Sequence, residues 1–346
     1  MISQLAPSAK AGVGAFLKAA DESRRVYPGL LLVGTVSIAA SGLSYHYGAP
    51  LTLFALLLGM TFHFVHDDPR CASGIEFSSK ILLRVGVALM GLRISLAQIL
   101  ALGWLPIVIV PLGVVTTVGL GILLARRFGL SRAFGLLSGG AVGICGASAA
   151  LALSAAMPAR VRERETVLTV VIVTSLSTMA MIIYPLIARA TGLQPTLAGI
   201  FFGGTIHDVA QVVGAASAVS TRSGDIAVYV KLLRVAALVP VVLAVTLAGG
   251  RRGQETTAPA PIPLFLVGFV VLMMLNSVGA VSTRVSDAAS DVSRWCLAMA
   301  IAAIGIKTSF AALARSGWKP VMLMVIETVW LALLVLLAVC MFQYAA

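Results

Sequence analysis

Charged side chains are scarce in this chain: 13 Asp and Glu and 25 Lys and Arg in 346 residues, so that only 11% of positions carry charge. A soluble domain carries about 25%. With 59% hydrophobic residues and a mean hydropathy of +1.02, the shortage excludes a soluble globular protein and leaves an integral membrane protein. Cysteine is also rare. Cys71, Cys145, Cys296 and Cys340 have neither pairing nor metal-ligand spacing, so no disulfide framework and no metal is read from them. HExxH, GxSxG and P-loop patterns are missing, so neither an enzyme nor a cofactor is expected.

What is present is a series of apolar runs. A span needs roughly 20 apolar residues, and runs of that kind lie at 28–44, 48–66, 78–101, 104–125, 164–188, 224–248, 262–282, 293–314 and 319–343. Two further segments, 132–157 and 195–220, are rich in Gly, Ala and Ser and look interrupted. The expected fold is an all-α polytopic membrane protein of about 9–11 transmembrane helices. Residues 28–346 are expected to form a single transmembrane domain, after a cytoplasmic N-terminal segment at 1–27. Met1–Arg25 lacks the apolar core of a cleavable signal.

The net charge of +12 sits in short connections between apolar runs. That is the positive-inside pattern and not a nucleic-acid patch. Lys10, Lys18, Arg24 and Arg25 place the N-terminus in the cytoplasm, and Arg126–Arg127–Arg132, Arg251–Arg252 and Arg315–Lys319 then fall on the same side. Arg160, Arg162 and Arg164 follow the interrupted segment 132–157. They stay inside if that segment dips in and returns, and land outside if it crosses. The rule favours a re-entrant hairpin or a strongly broken helix.

An internal repeat is visible. GVALMGLRISLAQILALGWLP (86–106) matches AIAAIGIKTSFAALARSGWKP (300–320) without a gap at an offset of 214 (307 − 93). Gly91, Ser95, Ala97, Gly103, Trp104 and Pro106 recur as Gly305, Ser309, Ala311, Gly317, Trp318 and Pro320. The repeat copies extend over about 48–125 and 262–343. The copies lie seven apolar segments apart, or five if both interrupted segments are re-entrant, an odd step either way, so they insert in opposite directions. Inverted repeats with discontinuous helices near the midplane are a hallmark of secondary transporters.

The candidate site residues follow from that scheme. Arg93 and its repeat partner Lys307 lie midway along their runs, where a cation costs at least about 2.5–3.5 kcal/mol. They read as two cations facing an internal cavity suited to an anion, or as a structural pair with a buried carboxylate such as Glu327. Arg84, Lys231 and Arg234 read as solvated helix ends. In SGGAVGICGASAALALSAA the glycines Gly139, Gly140, Gly143 and Gly146 permit an unwound stretch, and Ser148 and Ser154 add hydroxyls. A half-helix start there favours an anion. Small-residue helix packing would use the same glycines. In GGTIHDVAQVVGA, Gly203–Gly204 break the helix, and Thr205, His207, Asp208 and Gln211 follow on the next turn. Asp208 can cap a half-helix, and His207 with Asp208 is the expected place for proton or sodium coupling.

Four strings, KILLRVGVALMGLRISLAQI, GICGASAALA, GTIHDVAQVVGAA and AIAAIGIKTSF, resemble the YeiH family of sulfate exporters. These are bacterial inner-membrane proteins grouped with sodium/proton antiporters and bile-acid transporters. The resemblance covers the chain from about residue 28 to the end. It implies a scaffold and a mobile core with crossing or re-entrant elements, a homodimer as the commoner state, and a sulfur oxyanion (sulfate, sulfite or sulfonate) as substrate. The expected partners are therefore a small anion, a coupling H+ or Na+ and the lipid bilayer, with no nucleic acid. Competing functions are a cation/proton antiporter with Asp208 as its ion site, an intramembrane enzyme using His207–Asp208, and a passive channel.

Overall fold

The computed structural model describes residues 7–48, 50–157, 162–248, 264–308 and 316–345. Arg160, Arg251, Arg252, Arg315, Ser309 and Ala311 lie outside these. Sixteen α-helices follow one another among the described residues: α1 (Pro7–Tyr47), α2 (Leu51–Thr61), α3 (Pro69–Phe77), α4 (Leu83–Met90), α5 (Leu96–Leu100), α6 (Leu105–Arg127), α7 (Arg132–Gly143), α8 (Ala147–Ala156), α9 (Arg162–Ala190), α10 (Pro195–Thr205), α11 (Val209–Ser217), α12 (Thr221–Ala236), α13 (Leu238–Ala248), α14 (Leu264–Ser277), α15 (Thr283–Lys307) and α16 (Trp318–Ala345). The fold is all-α and polytopic. Among the described residues six stretches are long and apolar enough to cross a membrane: Arg25–Tyr47, Leu105–Arg127, Glu165–Ala190, Thr221–Thr246, Thr283–Lys307 and Trp318–Tyr344.

The chain divides into two compact units, Met1–Arg84 with Ala298–Lys307, and Val85–Leu297 with Thr308–Ala346. In the first unit, α2 and the end of α15 touch backbone to backbone. A Cβ on Gly59 would lie 2.3 Å from the Ala302 carbonyl oxygen, and one on Gly305 would lie 2.4 Å from that of Leu56. His63 Nδ1 reaches the Ile306 carbonyl at 2.7 Å, and Asp68 caps α3 by accepting from the Arg70 N–H. His66 and Asp67 form the turn between the 3₁₀ turn at His63–Val65 and Asp68.

The second unit holds the interrupted segments, and both are re-entrant hairpins. Gly140 on α7 faces Leu153 on α8 so closely that a Cβ would sit 2.2 Å from Leu153 Cδ1. Thirteen residues of continuous helix would hold those positions about 20 Å apart. Arg132 and Leu136 share a cavity of about 750 Å³ with Ala156 and Met157, and Ser131 Oγ donates to Glu165 Oε1 at 2.8 Å. The chain therefore leaves hairpin 1 (α7–α8) on the face by which it entered. Hairpin 2 (α10–α11) does the same at the far end of α9. There Arg189 Nη2 donates to the Ala218 carbonyl at 3.3 Å, bringing the end of α11 back beside the end of α9. Because the 29-residue α9 separates them, the hairpins enter from opposite faces. Their four limbs have 12, 10, 11 and 9 residues, about 14–18 Å each at 1.5 Å per residue. That is half of a hydrocarbon core about 30 Å thick, so the tips meet at mid-depth.

The repeat is visible in the packing. Trp104, at the start of α6, contacts Phe342 near the end of α16, and Trp318, at the start of α16, contacts Phe128 just past α6. The two helices are antiparallel, as an inverted duplication requires. Gly103 and Gly317, matched in the repeat, both take positive φ, 68° and 83°, a conformation open to glycine and costly for other residues.

Candidate functional site

The hairpin tips build the site. A helix ends with carbonyls that lack intrahelical N–H donors, and here two such ends, those of α7 and α10, are buried. Two cations from α12 satisfy them. Lys231 Nζ donates to the Ile144 and Ile206 carbonyls, each at 2.9 Å. Arg234 donates through Nε to Gly143 (3.0 Å), through Nη2 to Val142 (2.7 Å), and through Nη1 to Gly203 (3.4 Å) and Ile206 (3.2 Å). Positive charge at helix C-termini also suits the helix dipole. Lys231 and Arg234 are 0% and 1% exposed, so the reading of both as solvated helix ends is corrected. The apolar run begins earlier than expected: α12 starts at Thr221 and not at 224, and its continuation through α13 puts these cations deeper.

His207 joins the two tips. It is fully buried, with Nδ1 3.2 Å from the Val142 carbonyl and Nε2 3.2 Å from Thr328 Oγ1. A carbonyl only accepts, so Nδ1 carries a proton. Thr328 can then give its hydroxyl proton to Nε2 or to the Met324 carbonyl, 2.8 Å away. Gly146, with φ 65°, packs against the His207 backbone. Asp208 is half-buried and caps α11 as expected, accepting from the Ala210 N–H at 2.9 Å, while its own N–H donates to Ser177 Oγ. Gln211 donates to Thr178 Oγ1 at 2.8 Å.

The other predicted positions are dispersed around this junction. Gly140 packs on Leu153, Gly143 on Val114 and Gly204 on Val335. Those glycines serve close packing. Thr205 donates to the Phe201 carbonyl within its own helix. Ser148 is exposed beside the start of α8, and its hydroxyl reaches the Cys145 carbonyl and sulfur. Gly146 caps that helix without a side-chain bond. Two starts of half-helices thus lie at the junction, one capped by Asp208 and one with no side-chain cap.

Arg93 and Lys307 are not midway along helices. The helix through α4 tightens into a 3₁₀ turn over Gly91–Arg93 and gives way to extended backbone at Ile94, and Lys307 is the last residue of α15. Both expected spans ran too far. Each cation has a carboxylate, and neither carboxylate is Glu327. Arg93 pairs with Asp225 at 3.3 Å, and Lys307 pairs with Glu76, which also holds Lys80. Asp225 lines a cavity of about 580 Å³ with Gln98, Thr196, Arg222 and Tyr229. Glu327 instead accepts from Ser138 Oγ at 2.7 Å.

Sequence reasoning missed Lys231, Arg234, Thr178 and Thr328 as parts of the junction, and Ser138 as the partner of Glu327. Lys231 and Arg234 carried a usable signal, two cations three residues apart within an apolar run. The threonines and serine had none that sets them apart from other small residues of membrane helices.

The family model described as Conserved hypothetical protein 698 matches residues 28–324. A UPF0324 membrane protein of Chlorobaculum tepidum is 51% identical over 317 residues, covering 90% of this chain and 88% of the relative. One from Rhizobium meliloti is 46% identical over 89% of this chain and 91% of its own. The UPF0324 membrane protein TauZ of Paracoccus denitrificans is 46% identical, with 89% and 93% covered. No solved structure matches. With its apolar helices and this likeness over nearly its whole length, the chain is a multi-pass membrane protein that belongs to the UPF0324 family.

Proposed function

We propose that this protein is a secondary active transporter of a small anion, a sulfur oxyanion such as sulfate, sulfite or a sulfonate, working by alternating access. One observation carries the reading: two re-entrant hairpins enter from opposite faces and meet at mid-depth around buried cations. Irregular backbone at membrane depth occurs where it is enclosed by protein or lines a water-filled cavity, and half-helix starts near the midplane are where transporters hold anionic substrates. The start of α8, with Gly146 and exposed Ser148, is the seat for the anion in this reading. Arg93 and Lys307, being paired with carboxylates, serve as structural charges. The resemblance to sulfate exporters supplies the substrate class.

The orientation follows from charge. Arg126, Arg127 and Arg132 flank the entry to hairpin 1, and Lys319 opens α16 beside Phe128. That face is cytoplasmic by the positive-inside rule, in a bacterial inner membrane. A cation/proton antiporter is the second reading, supported by the half-buried carboxylate of Asp208 at a hairpin tip.

Purified protein in proteoliposomes should show saturable flux of sulfate, sulfite or taurine, and the same anion should raise the melting temperature in a thermal-shift screen. No saturable flux and no shift with any of them would overturn the anion reading. A shift with Na+ alone would favour the antiporter.

A further inference from the structure

One buried acid stands apart from the hairpin junction. Glu327 lies nine residues past Trp318, about 14 Å along α16, near the centre of a core about 30 Å thick. It is 0% exposed. Oε1 accepts from Ser138 Oγ at 2.7 Å, whereas Oε2 is buried with no hydrogen-bond partner among the described residues. Gly121 on α6 floors the niche, and a Cβ there would lie 2.3 Å from Oε1. Thr117, one turn earlier on α6, also has a buried hydroxyl with no partner.

Among the described residues no cation is bonded to this carboxyl. Lys231 and Arg234 spend their donors on backbone carbonyls. On the helices packed against α16, the titratable side chains are Arg126 and Arg127 at the end of α6, Arg132 at the start of α7, and Tyr184 and the terminal Arg162, Glu163, Arg164, Glu165 and Arg189 of α9; α10 has none. His207 approaches through Thr328, and α16 itself adds Lys319, Cys340 and Tyr344 at its ends. A carboxylate enclosed with one hydroxyl donor is costly, and a neutral carboxylic acid is far less so.

The position also reads both hairpins. Glu327 is held by Ser138 of hairpin 1, and the adjacent Thr328 by His207 at the tip of hairpin 2. Its counterpart on α6 under the repeat (327 − 214) is Gly113, so one half alone carries the acid.

We propose that Glu327 is the site of the coupling proton, a role that rests on the transporter reading. While water reaches the niche, the carboxylate Oε2 takes a proton from a hydronium ion, leaving water, and the carboxylic acid so formed keeps its O–H as the niche closes. When hairpin 1 moves off α16 and water enters again, the acid gives that proton to a water molecule, which becomes hydronium, and the carboxylate returns. Proton coupling then belongs to α16 and not to the His207–Asp208 pair.

Two measurements on the full chain test this. In infrared difference spectra, wild type should show the C=O stretch of a protonated carboxyl that is lost in Glu327→Gln and displaced in Glu327→Asp. In proteoliposomes, pH-gradient-driven sulfite flux should fall by about tenfold or more in Glu327→Gln, while sulfite–sulfite exchange without a gradient persists. A spectrum unchanged by Glu327→Gln, pH-driven flux unchanged in it, or flux driven by Na+ and indifferent to pH would each overturn the proposal. If Glu327→Gln does not fold, the displaced band of Glu327→Asp decides. If wild type moves no anion, the transporter reading fails, and the infrared band alone decides whether Glu327 holds a proton.

Discussion

The indole of Trp104 stands edge-on to the ring of Phe342, their centroids 6.3 Å apart. Trp318 meets Phe128 in the same geometry at 6.2 Å. Both residues of the second pair are those of the first shifted by 214, with the partners exchanged. Thr116 and Trp330, hydrogen-bonded at 3.2 Å, are themselves 214 apart. A pseudo-two-fold axis relating α6 to α16 produces this pattern. Cysteines at 104 and 342, or at 128 and 318, in a chain with its four native cysteines replaced by serine, should be joined by a short bifunctional thiol reagent. The pair 104 and 318 should not. Linkage of that third pair in preference to the other two would contradict antiparallel packing.

Gly121 carries the second prediction. A methyl there meets Glu327 Oε1 at 2.3 Å and the Gly135 carbonyl at 2.5 Å, while one on Gly119 meets nothing within 4 Å. Overpacking of this kind costs about 1–3 kcal/mol. Gly121→Ala should lower the melting temperature in detergent by several degrees and Gly119→Ala should leave it in place. Equal melting temperatures would mean that α6 and α7 do not approach as closely as described.

Much of this architecture is legible in the sequence, and the reasons differ by element. Hairpin 1 follows from charge: Arg162 and Arg164 sit too near the interrupted segment to land outside. The repeat follows from Gly-Trp-x-Pro, because a positive-φ glycine and a ring contact are needed twice. Asp208 is legible as a cap because an acid before an apolar half-helix has little else to do. The misplaced cations share one cause. Arg93 and Lys307 were centred on apolar runs, but backbone geometry and not hydropathy ends a helix, and both stand at helix ends. Which helix packs beside a buried charge is a long-range property. Nothing local announces that Ser138 faces Glu327 across 189 residues.

Arg234 holds the tips together, and its removal is expected to be severe. In Arg234→Met the carbonyl of Val142 keeps His207 and that of Ile206 keeps Lys231, but those of Gly143 and Gly203 lose their side-chain donor. Each buried carbonyl left unpaired costs about 1–3 kcal/mol. Arg234→Lys keeps the charge but not the planar fork, so it should rescue only part of the loss. Melting temperatures should rank wild type, Arg234→Lys, Arg234→Met. Full rescue by lysine would show that charge alone matters at the tips.

Ser148 separates the anion seat from mere packing. The start of α8 has no side-chain cap, and Ser148 is exposed next to it, so a carboxylate placed there satisfies the same N–H groups that an anion would use. Such a charge at a helix start is stabilising by about 0.3–1 kcal/mol. Ser148→Asp should therefore fold at least as well as wild type and yet lose the thermal shift that sulfite produces. Ser148→Ala removes the hydroxyl bonded to Cys145 and leaves the N–H groups open, so it should keep most of that shift. A Ser148→Asp protein that still responds to sulfite as wild type does would move the anion away from α8, because the same backbone donors cannot serve two negative charges at once.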